Sequence, residues 1–443
     1  MDNEFPEAFK PYYEHEPNKP IDLYSGGVSF IFEGRCVHGT GRVYHNFFPT
    51  QGTKIDIYSG TLGPLALALS SKIVDVELKE VGFSLKVRIL NASFSTDTSA
   101  LSLVGIVLPQ NDRSGEKKLK GLTFHFANLP QLMGGSFVKI GTTAIRGRIN
   151  LTVGEWEIYL DPLKSIKSAL KSIKENSGFA LTYCGHVYKK DDSEFLPHEV
   201  EDLLTNLGYL FTFALGHWTY PILYVGFSLP GNACWFDWTA RRVGKWSSSG
   251  TWFDDTEATR FNQLLHGISD RRRDPIWCGS MSKFLHWYIE SQNNITMESA
   301  AILLQAALEL YCWILLVEEG KQYDPQKFDE KNAATKIRLL LKELRVPLKI
   351  PPEFSHLTQL CSDIDGRDGP GVFTKVRNST VHPRNRNTTQ ESSDYALYEC
   401  RQLGLWYFEL ALLKLFGFTG NYFPRYLGTK HVGLVKSLPW VDI

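Results

Sequence analysis

The residues best suited to chemistry lie in one short string, VRNSTVHP, which runs from Val376 to Pro383. In it Asn378 directly follows Arg377, and His382 lies five positions after the arginine. Cleavage of RNA without a metal requires an acceptor for the 2′-hydroxyl proton, a proton donor for the leaving 5′-oxygen and positive charge on the phosphate. Histidine transfers protons near neutrality, and arginine binds phosphate oxygens through a two-pronged guanidinium. The string therefore contains residue types that could cleave a phosphodiester.

The helical period decides how these side chains would face one another. Asn378 precedes His382 by four residues, so one helical turn would place both on one face, where the amide could orient the imidazole or hold a phosphate oxygen. Arg377 is rotated from His382 by about 140° at ~3.6 residues per turn, so the two do not simply face each other. Pro383 moves His382 out of the α conformation. A symmetric dimer could also bring the arginine and histidine of one chain against those of the other.

Three further residues are candidates, and each has an ordinary alternative. Glu309 lies in an otherwise apolar segment, where an unpaired carboxylate costs free energy; it bonds either to a catalytic group or to a lysine or arginine inside the bundle. Arg384 and Arg386 follow the motif and can contact phosphate, or they belong to a solvated loop. The motif itself has an alternative, since arginine and histidine near a helix end often cap carbonyl groups.

Other clusters of potentially reactive residues give weaker evidence for a functional site. Cys184 and His186 are soft metal ligands without a second pair, so neither a metal site nor a cofactor is expected. Tryptophans crowd the segment 230–252 and could stack on bases, although packing is the commoner role of such residues. These tryptophans are Trp235, Trp238, Trp246 and Trp252.

The first half of the chain has the alternating pattern of β-strands. Apolar and polar residues alternate between clusters of glycine, asparagine and aspartate, and a helical period is nearly absent before residue 160. We therefore expect residues 1–245 to form a β-rich, sandwich-like region with a few helices. The segments predicted as strands are 26–32, 73–78, 83–90, 101–108, 122–126 and 153–160, and the predicted helices are 161–176 and 197–215. The segment 230–252 is predicted to cross between two domains.

A helical period dominates from residue 255 onward. Within 297–318 the apolar residues form a stripe wide enough for the core of a bundle. The predicted helices are 256–269, 281–292, 297–318, 333–344, 354–361, 371–381 and 394–416. The chain is thus predicted to be an α+β protein in which residues 255–443 form an all-helical domain.

Composition restricts the partners and the compartment. Basic and acidic residues number 48 each, so the chain lacks the basic excess of a protein that coats nucleic acid, and RNA would bind at a local patch. The seven cysteines are widely spaced and form no C-x-x-C, which favours reduced thiols in a cytoplasmic protein. The most apolar stretch, 302–317, contains Gln305 and Glu309 and is shorter than the about 20 residues that cross a bilayer. A buried helix and no membrane are expected.

The string at Arg377 resembles the R-x4-H motif of HEPN endoribonucleases, with asparagine in second place. QAALEL (305–310), AATKIRLLL (333–341) and IPP (350–352) look like the HEPN region of ApeA-type anti-phage proteins, and 185–213 and the Trp-rich junction are similar to their N-terminal half. The resemblance implies a homodimer with a composite active site and a role in anti-phage defence by abortive infection. Some HEPN toxins carry, two residues after the histidine, a tyrosine that a partner enzyme modifies; Arg384 occupies that position here, so such control is not expected.

These inferences combine into one prediction of function. The N-terminal region senses a phage-derived trigger or restrains the nuclease, and the helical domain cuts cellular RNA, with tRNA as a candidate substrate, to 2′,3′-cyclic phosphate and 5′-hydroxyl ends. The alternative is a non-catalytic HEPN module that binds RNA or a nucleotide while the β-rich region binds a partner protein. The predicted catalytic residues are Arg377, Asn378, His382 and Glu309, and the predicted RNA contacts are Arg384 and Arg386.

Overall fold

The computed structural model describes residues 5–59, 64–95, 100–109, 117–229, 231–247, 250–293, 296–361, 368–381, 394–428 and 434–441. The chain divides into two compact units. The N-terminal unit comprises Met1–Gly208 and Thr219–Ser247, and the C-terminal unit comprises Tyr209–Trp218 and Ser248–Ile443. The N-terminal region is rich in strands and the region that follows is helical, which confirms the coarse prediction of an α+β protein.

The first strands of the N-terminal unit form a closed barrel. These strands are β1 (Ile21–Phe32), β2 (Arg35–Asn46), β3 (Gly52–Ser59), β4 (Ile73–Leu78), β5 (Phe83–Ser95) and β6 (Ala100–Val107). All pairs are antiparallel in the order β1-β2-β3-β6-β5-β4, and β1 closes the barrel on β4. Along β4 exposed and buried residues alternate, so Val74, Val76 and Leu78 point into the core.

The rest of the N-terminal unit is a seven-stranded antiparallel sheet with one helix and the first part of a second, whose residues from Tyr209 onward belong to the C-terminal unit. Its elements are β7 (Gly121–Ala127), β8 (Ser136–Ile140), β9 (Thr143–Val153), β10 (Trp156–Pro162), α1 (Ile166–Asn176), β11 (Leu181–Lys189), α2 (Glu201–Leu215), β12 (Ile222–Leu229) and β13 (Asn232–Asp237). The strand order is β13-β12-β7-β11-β10-β9-β8, and every residue of the interior strand β7 is buried. One hydrophobic core joins barrel residues such as Val28 and Val87 to sheet residues such as Cys184, Ile222 and Trp238.

Three sequence-based expectations for this unit need correction. The sandwich-like arrangement is replaced by a closed barrel and a single sheet, because bulges in β1 and β5 bend the strands enough for closure. The predicted strand 153–160 starts too early: residues 156–160 lie in β10, but Val153 ends β9 and pairs with Trp156 across a turn in which Gly154 has φ +56°. The segment 230–252, predicted as a crossing between domains, also supplies strand β13 to the sheet.

The C-terminal unit contains most of the helices. They are α3 (Phe261–Arg273), α4 (Cys278–Gln292), α5 (Met297–Trp313) with a π-helical continuation (Ile314–Glu319), α6 (Pro325–Asp329), α7 (Ala333–Glu343), α8 (Ser355–Cys361), α9 (Gly369–Val381) and α10 (Asp394–Leu415), followed by the short strands β14 (Asn421–Tyr422) and β15 (Lys436–Ser437). Local caps fix two helix starts: Thr296 Oγ1 accepts from the N–H of Ser299 before α5, and Asn332 Oδ1 accepts from the N–H of Thr335 before α7.

Helix α5 is the centre of this bundle. It packs against α4, α7, α9 and α10. Together with its π-helical continuation it spans Met297–Glu319, and by length and composition alone these 23 residues could cross a membrane. The core helix of a soluble protein passes the same test, and 61% of its most apolar window is buried inside the fold.

Two buried histidines of the N-terminal unit make stability depend on pH. His45 Nδ1 lies 2.9 Å from Thr53 Oγ1, and His125 Nε2 accepts from the N–H of Tyr12 at 3.2 Å. Burial lowers the pKa of both imidazoles to about 4. The unfolded chain, with a histidine pKa near 6.5, therefore binds more protons between that value and 4. The stabilisation is complete above about pH 6.5 and is lost as the pH falls towards 4.

We expect the urea concentration at the unfolding midpoint to be lower at about pH 5 than at about pH 7. Unfolding at the two pH values should be compared with that of the double variant His45→Gln/His125→Gln, in which the glutamine oxygen can still accept a hydrogen bond. The variant should lose less stability on acidification than the wild type. An equal loss in both proteins would assign the acid sensitivity to other groups.

Candidate active site

Helix α9 carries Arg377 and Asn378, and its first turn is held firmly. Asp368 Oδ1 accepts from the N–H of Gly371 at 2.9 Å, which caps the helix. The same carboxylate receives a two-pronged ion pair from Arg338 of α7, with N–O distances of 2.5 and 2.9 Å. The N–H of Gly369 donates to the carbonyl of Leu348 at 2.7 Å. The start of the motif helix is thus tied to α7 and to the loop after it.

Substitution of Asp368 separates these two roles. Asp368→Ala removes both the cap and the ion pair, and loss of the cap alone should lower the free energy of unfolding by about 0.5–2 kcal/mol. Asp368→Asn keeps a good capping oxygen and loses only the charge, so it should be the milder variant. Urea unfolding of both proteins tests this order. Equal destabilisation by the two substitutions would show that the cap contributes nothing.

The buried face of α9 fixes the helix against its neighbours. Val372, Phe373 and Val376 are almost fully buried. A Cβ atom at Gly404 of α10 would lie 2.7 Å from Cε2 of Phe373 and 3.1 Å from Cδ1 of Leu304, so α9 and α10 approach closely only because this residue is glycine. Arg377 follows directly after Val376, and its backbone is therefore placed by a packed core.

Among the residues that the structure describes, the Arg377 guanidinium is held by its neighbour and by no carboxylate. Its Nη1 donates to Asn378 Oδ1 at 3.1 Å. Its Nε is buried and has no hydrogen-bond partner among the described residues. Thr380 Oγ1 donates to the carbonyl of Arg377 at 2.6 Å, and Ser379 Oγ donates to that of Val376 at 2.7 Å. The hydroxyls thus satisfy carbonyls of the last helical turn, and the guanidinium forms no ion pair with a described residue.

The other motif residues cannot be compared with the structure. His382, Arg384 and Arg386 lie outside the described residues, which end at Val381 and resume at Asp394. Their predicted roles, and the predicted proximity of Asn378 to His382, stay predictions.

Glu309 of α5 bonds within the bundle. Its Oε1 accepts from Nε2 of Gln305 at 2.8 Å, and its Oε2 lies 3.9 Å from Nζ of Lys336. Among the residues that the structure describes, no hydrogen bond or ion pair joins Glu309 to Arg377. The structure therefore brings Arg377 and Asn378 together and places Glu309 with a lysine.

Sequence reasoning missed a buried polar cluster on α4, α10 and the segment after α10. Arg425 Nε donates to both Glu409 oxygens at 2.9 and 3.0 Å, and its Nη2 donates to Gln292 Oε1 at 2.6 Å. Tyr288 donates its hydroxyl to Glu409 Oε1 at 2.6 Å, and burial raises the pKa of this phenol far above its usual value. The side chains of Arg425 and Glu409 are only 7% and 1% exposed, so this cluster serves to hold the fold together.

The weaker sequence clusters fall inside the N-terminal unit or the helical core. Cys184 Sγ lies 3.7 Å from His186 Nε2, and burial raises the pKa of the thiol and lowers that of the imidazole to about 4. No group of three potential metal-ligating side chains occurs in the described parts of the chain. Trp238 and Trp252 are buried, as expected for packing, whereas Trp235 and Trp246 are partly exposed.

With this geometry defined, comparison with known proteins gives two domain matches. Residues 114–249 match the YopA central domain, and residues 274–435 match the YopA C-terminal domain. The chain is also 26% identical over 437 residues to the SPbeta prophage-derived uncharacterized protein YopA of Bacillus subtilis (strain 168), an alignment that covers 97% of each protein. This chain is similar to YopA over nearly its whole length. No solved structure matches it.

The YopA matches divide the chain much as the fold does. The match to the YopA central domain contains the seven-stranded sheet with α1 and α2, and the match to the YopA C-terminal domain contains α4 to α10, including the motif helix. The barrel lies before both matches, but it falls within the full-length similarity.

Proposed function

We propose that this protein is a metal-independent endoribonuclease whose site contains Arg377, Asn378 and His382 in a HEPN-type helical domain. The observation that supports the proposal best is the Arg377 guanidinium at the end of α9, which has no carboxylate partner among the described residues. Arg338 and Arg425 in the same unit are each paired with a carboxylate. Arg377 is thus suited to a phosphate rather than to a structural ion pair.

The proposed reaction is an intramolecular transesterification. The 2′-oxygen of the RNA attacks the adjacent phosphorus, the bond from phosphorus to the 5′-oxygen breaks, and a 2′,3′-cyclic phosphate and a 5′-hydroxyl remain. One imidazole accepts the 2′-hydroxyl proton, and a protonated imidazole donates to the leaving oxygen. A homodimer supplies two copies of His382 and relieves a single histidine of both tasks. Arg377 stabilises the charge on the phosphate, and Arg384 and Arg386 bind neighbouring phosphates.

The proposed biological role is abortive infection by a cytoplasmic enzyme. The N-terminal unit responds to a phage-derived trigger or restrains the helical unit, and release allows cleavage of cellular RNA, with tRNA as a candidate. The relative in Bacillus subtilis is described as prophage-derived, and a resident prophage benefits from a gene that stops competing phages. The origin of that relative supports this role.

The decisive experiment is RNA cleavage in the presence of EDTA. Purified full-length protein is incubated with total cellular RNA, and Arg377→Ala and His382→Ala are assayed beside it. We expect cleavage that persists in EDTA, disappears in both variants and leaves 2′,3′-cyclic phosphate ends. RNA binding without cleavage, also in extracts of phage-infected cells, would reject the enzyme in favour of a non-catalytic HEPN module.

A further inference from the structure

Helix α1 and the turn before it carry a row of exposed lysines. The sequence KSIK occurs at 164–167 and again at 171–174. Seven residues make nearly two turns, so the two copies lie on one face about 10.5 Å apart along the axis. The opposite face is buried and packs against β11. The lysine stripe, as we call this exposed row, consists of Lys164, Lys167, Lys171 and Lys174.

The electrostatics of the stripe are unfavourable in the isolated protein. Lys164 lies just before α1 and Lys167 in its first turn, where the helix dipole disfavours cations, and this turn contains no acidic residue. Like charges three and four residues apart also repel one another. Lys164, Lys167 and Lys171 form no ion pair with any residue that the structure describes. A bound polyanion would remove each of these penalties.

The stripe continues at both ends. At its start Lys164 lines an open cleft of about 770 Å³, whose walls also carry Lys10 and Lys139. Glu7 and Glu14 line this cleft too, and Glu7 pairs with Lys139 at 3.4 Å. Lys10 and Lys164 then face the single carboxylate of Glu14, so the cleft keeps a net positive charge.

At the other end of the stripe lies a partly exposed tryptophan. Nζ of Lys174 lies 5.7 Å from the ring centroid of Trp246. The backbone N–H of Trp246 donates to the carbonyl of Gly178 at 2.8 Å. The adjacent Lys245 is exposed. A cationic track about 15 Å long therefore ends on an indole ring.

We infer that the lysine stripe and Trp246 bind single-stranded RNA, with the lysines on successive phosphates and the indole stacked on a base. A linear row of cations that ends on an aromatic ring is typical of surfaces that bind single strands. The residues between the lysines that reach the surface are Ser165, Ser168 and the half-buried Ser172, because the apolar residues of this segment are buried. The face therefore offers a membrane no apolar surface. The choice of RNA rests on the proposed function, and the surface would hold the substrate of the helical unit.

The test measures binding of a fluorescent single-stranded RNA of about 16 nucleotides, the upper site size of one single-strand-binding domain. Full-length Arg377→Ala protein is the background, so that the RNA stays intact. Combined Lys164→Gln, Lys167→Gln and Lys171→Gln should weaken binding and reduce the slope of log K against log salt by about 2. The matched control, Lys72→Gln, Lys79→Gln and Lys86→Gln on the barrel, should leave the slope unchanged. A stripe variant that behaves like this control overturns the inference.

Trp246 is tested by a pair of substitutions. Trp246→Leu should weaken binding roughly five-fold to a hundred-fold through loss of base stacking, and Trp246→Phe should retain most of the affinity. Equal binding by both variants would overturn the stacking contact. Tighter stripe-dependent binding to vesicles of phosphatidylcholine and phosphatidylserine than to RNA would overturn the choice of RNA.

The outcomes separate this inference from the proposed function. If the stripe variant in an otherwise wild-type chain still cleaves RNA and binds it normally, the inference fails and the nuclease stands. If RNA binding depends on the stripe but wild-type protein never cleaves, the nuclease fails and the binding surface stands.

Discussion

Arg377→Lys is expected to slow RNA cleavage by about 10²–10³-fold, the usual cost of removing one preorganised donor to transition-state charge. Lysine keeps the positive charge but replaces the planar fork with a single ammonium group, which cannot bind two phosphate oxygens in the same geometry. Lysine also has no group equivalent to the buried Nε of Arg377, so it cannot keep the geometry in which Nη1 donates to Asn378 Oδ1. The loss should appear mainly in kcat, because the charge that it stabilises develops in the transition state.

The control for this prediction is Arg345→Lys. Arg345 is an exposed arginine after α7 in the same unit, and the substitution makes the same chemical change away from the motif. Its cleavage rate should equal that of the wild type, and both variants should unfold at the wild-type urea concentration. Normal cleavage by Arg377→Lys would mean that the guanidinium does not contact the reacting phosphate.

Glu409→Gln should cause the largest loss of stability, about 3–5 kcal/mol in the free energy of unfolding, because it leaves a buried guanidinium without its counter-charge. Glu409 receives hydrogen bonds from Arg425 and from Tyr288. Glutamine preserves the shape of the side chain, so the lower free energy of unfolding results from the lost charge rather than from a cavity. Urea unfolding followed by tryptophan fluorescence measures it.

Asp329→Asn gives the exposed comparison. Asp329 pairs with Lys336 at 3.4 Å, but its side chain is 80% exposed, and such pairs contribute at most about 1 kcal/mol. The same change from carboxylate to amide should therefore have little effect here. A Glu409→Gln protein as stable as Asp329→Asn would show that the Arg425 cluster is not a structural element.

Local patterns predicted the elements well because they reflect burial within each segment. The alternation at 73–78 gave β4, and the helical period at 333–344 gave α7 to within one residue at its C-terminal end. The pairing of β1 with β4 that closes the barrel could not be predicted from such local patterns. It depends on which distant strands pair, through contacts such as that of Phe30 with Val76, and an alternating pattern carries no information about pairing partners.

Charged residues in apolar helices show the same limit for the site. One rule, that an acid in an apolar helix needs a partner, singled out Glu309 and applies equally to Glu409 in WYFELALL. The sequence shows that each carboxylate needs a partner but does not identify it. In the structure Glu309 pairs with Lys336 and Glu409 pairs with Arg425. Arg377 and Asn378 were found because they are adjacent in sequence. Asp368, which holds their helix, was not found, because its ion pair with Arg338 spans 30 positions.

The hydrophobic core shared by barrel and sheet limits how the N-terminal unit can be dissected. The match to the YopA central domain begins at residue 114, after the last barrel strand, but Cys184, Ile222 and Trp238 in that match pack in the same cluster as Val28 and Val87. A fragment cut at the match boundary would present this surface to water and associate with itself. The barrel and the sheet are therefore inseparable partners in folding, although the sequence match separates them.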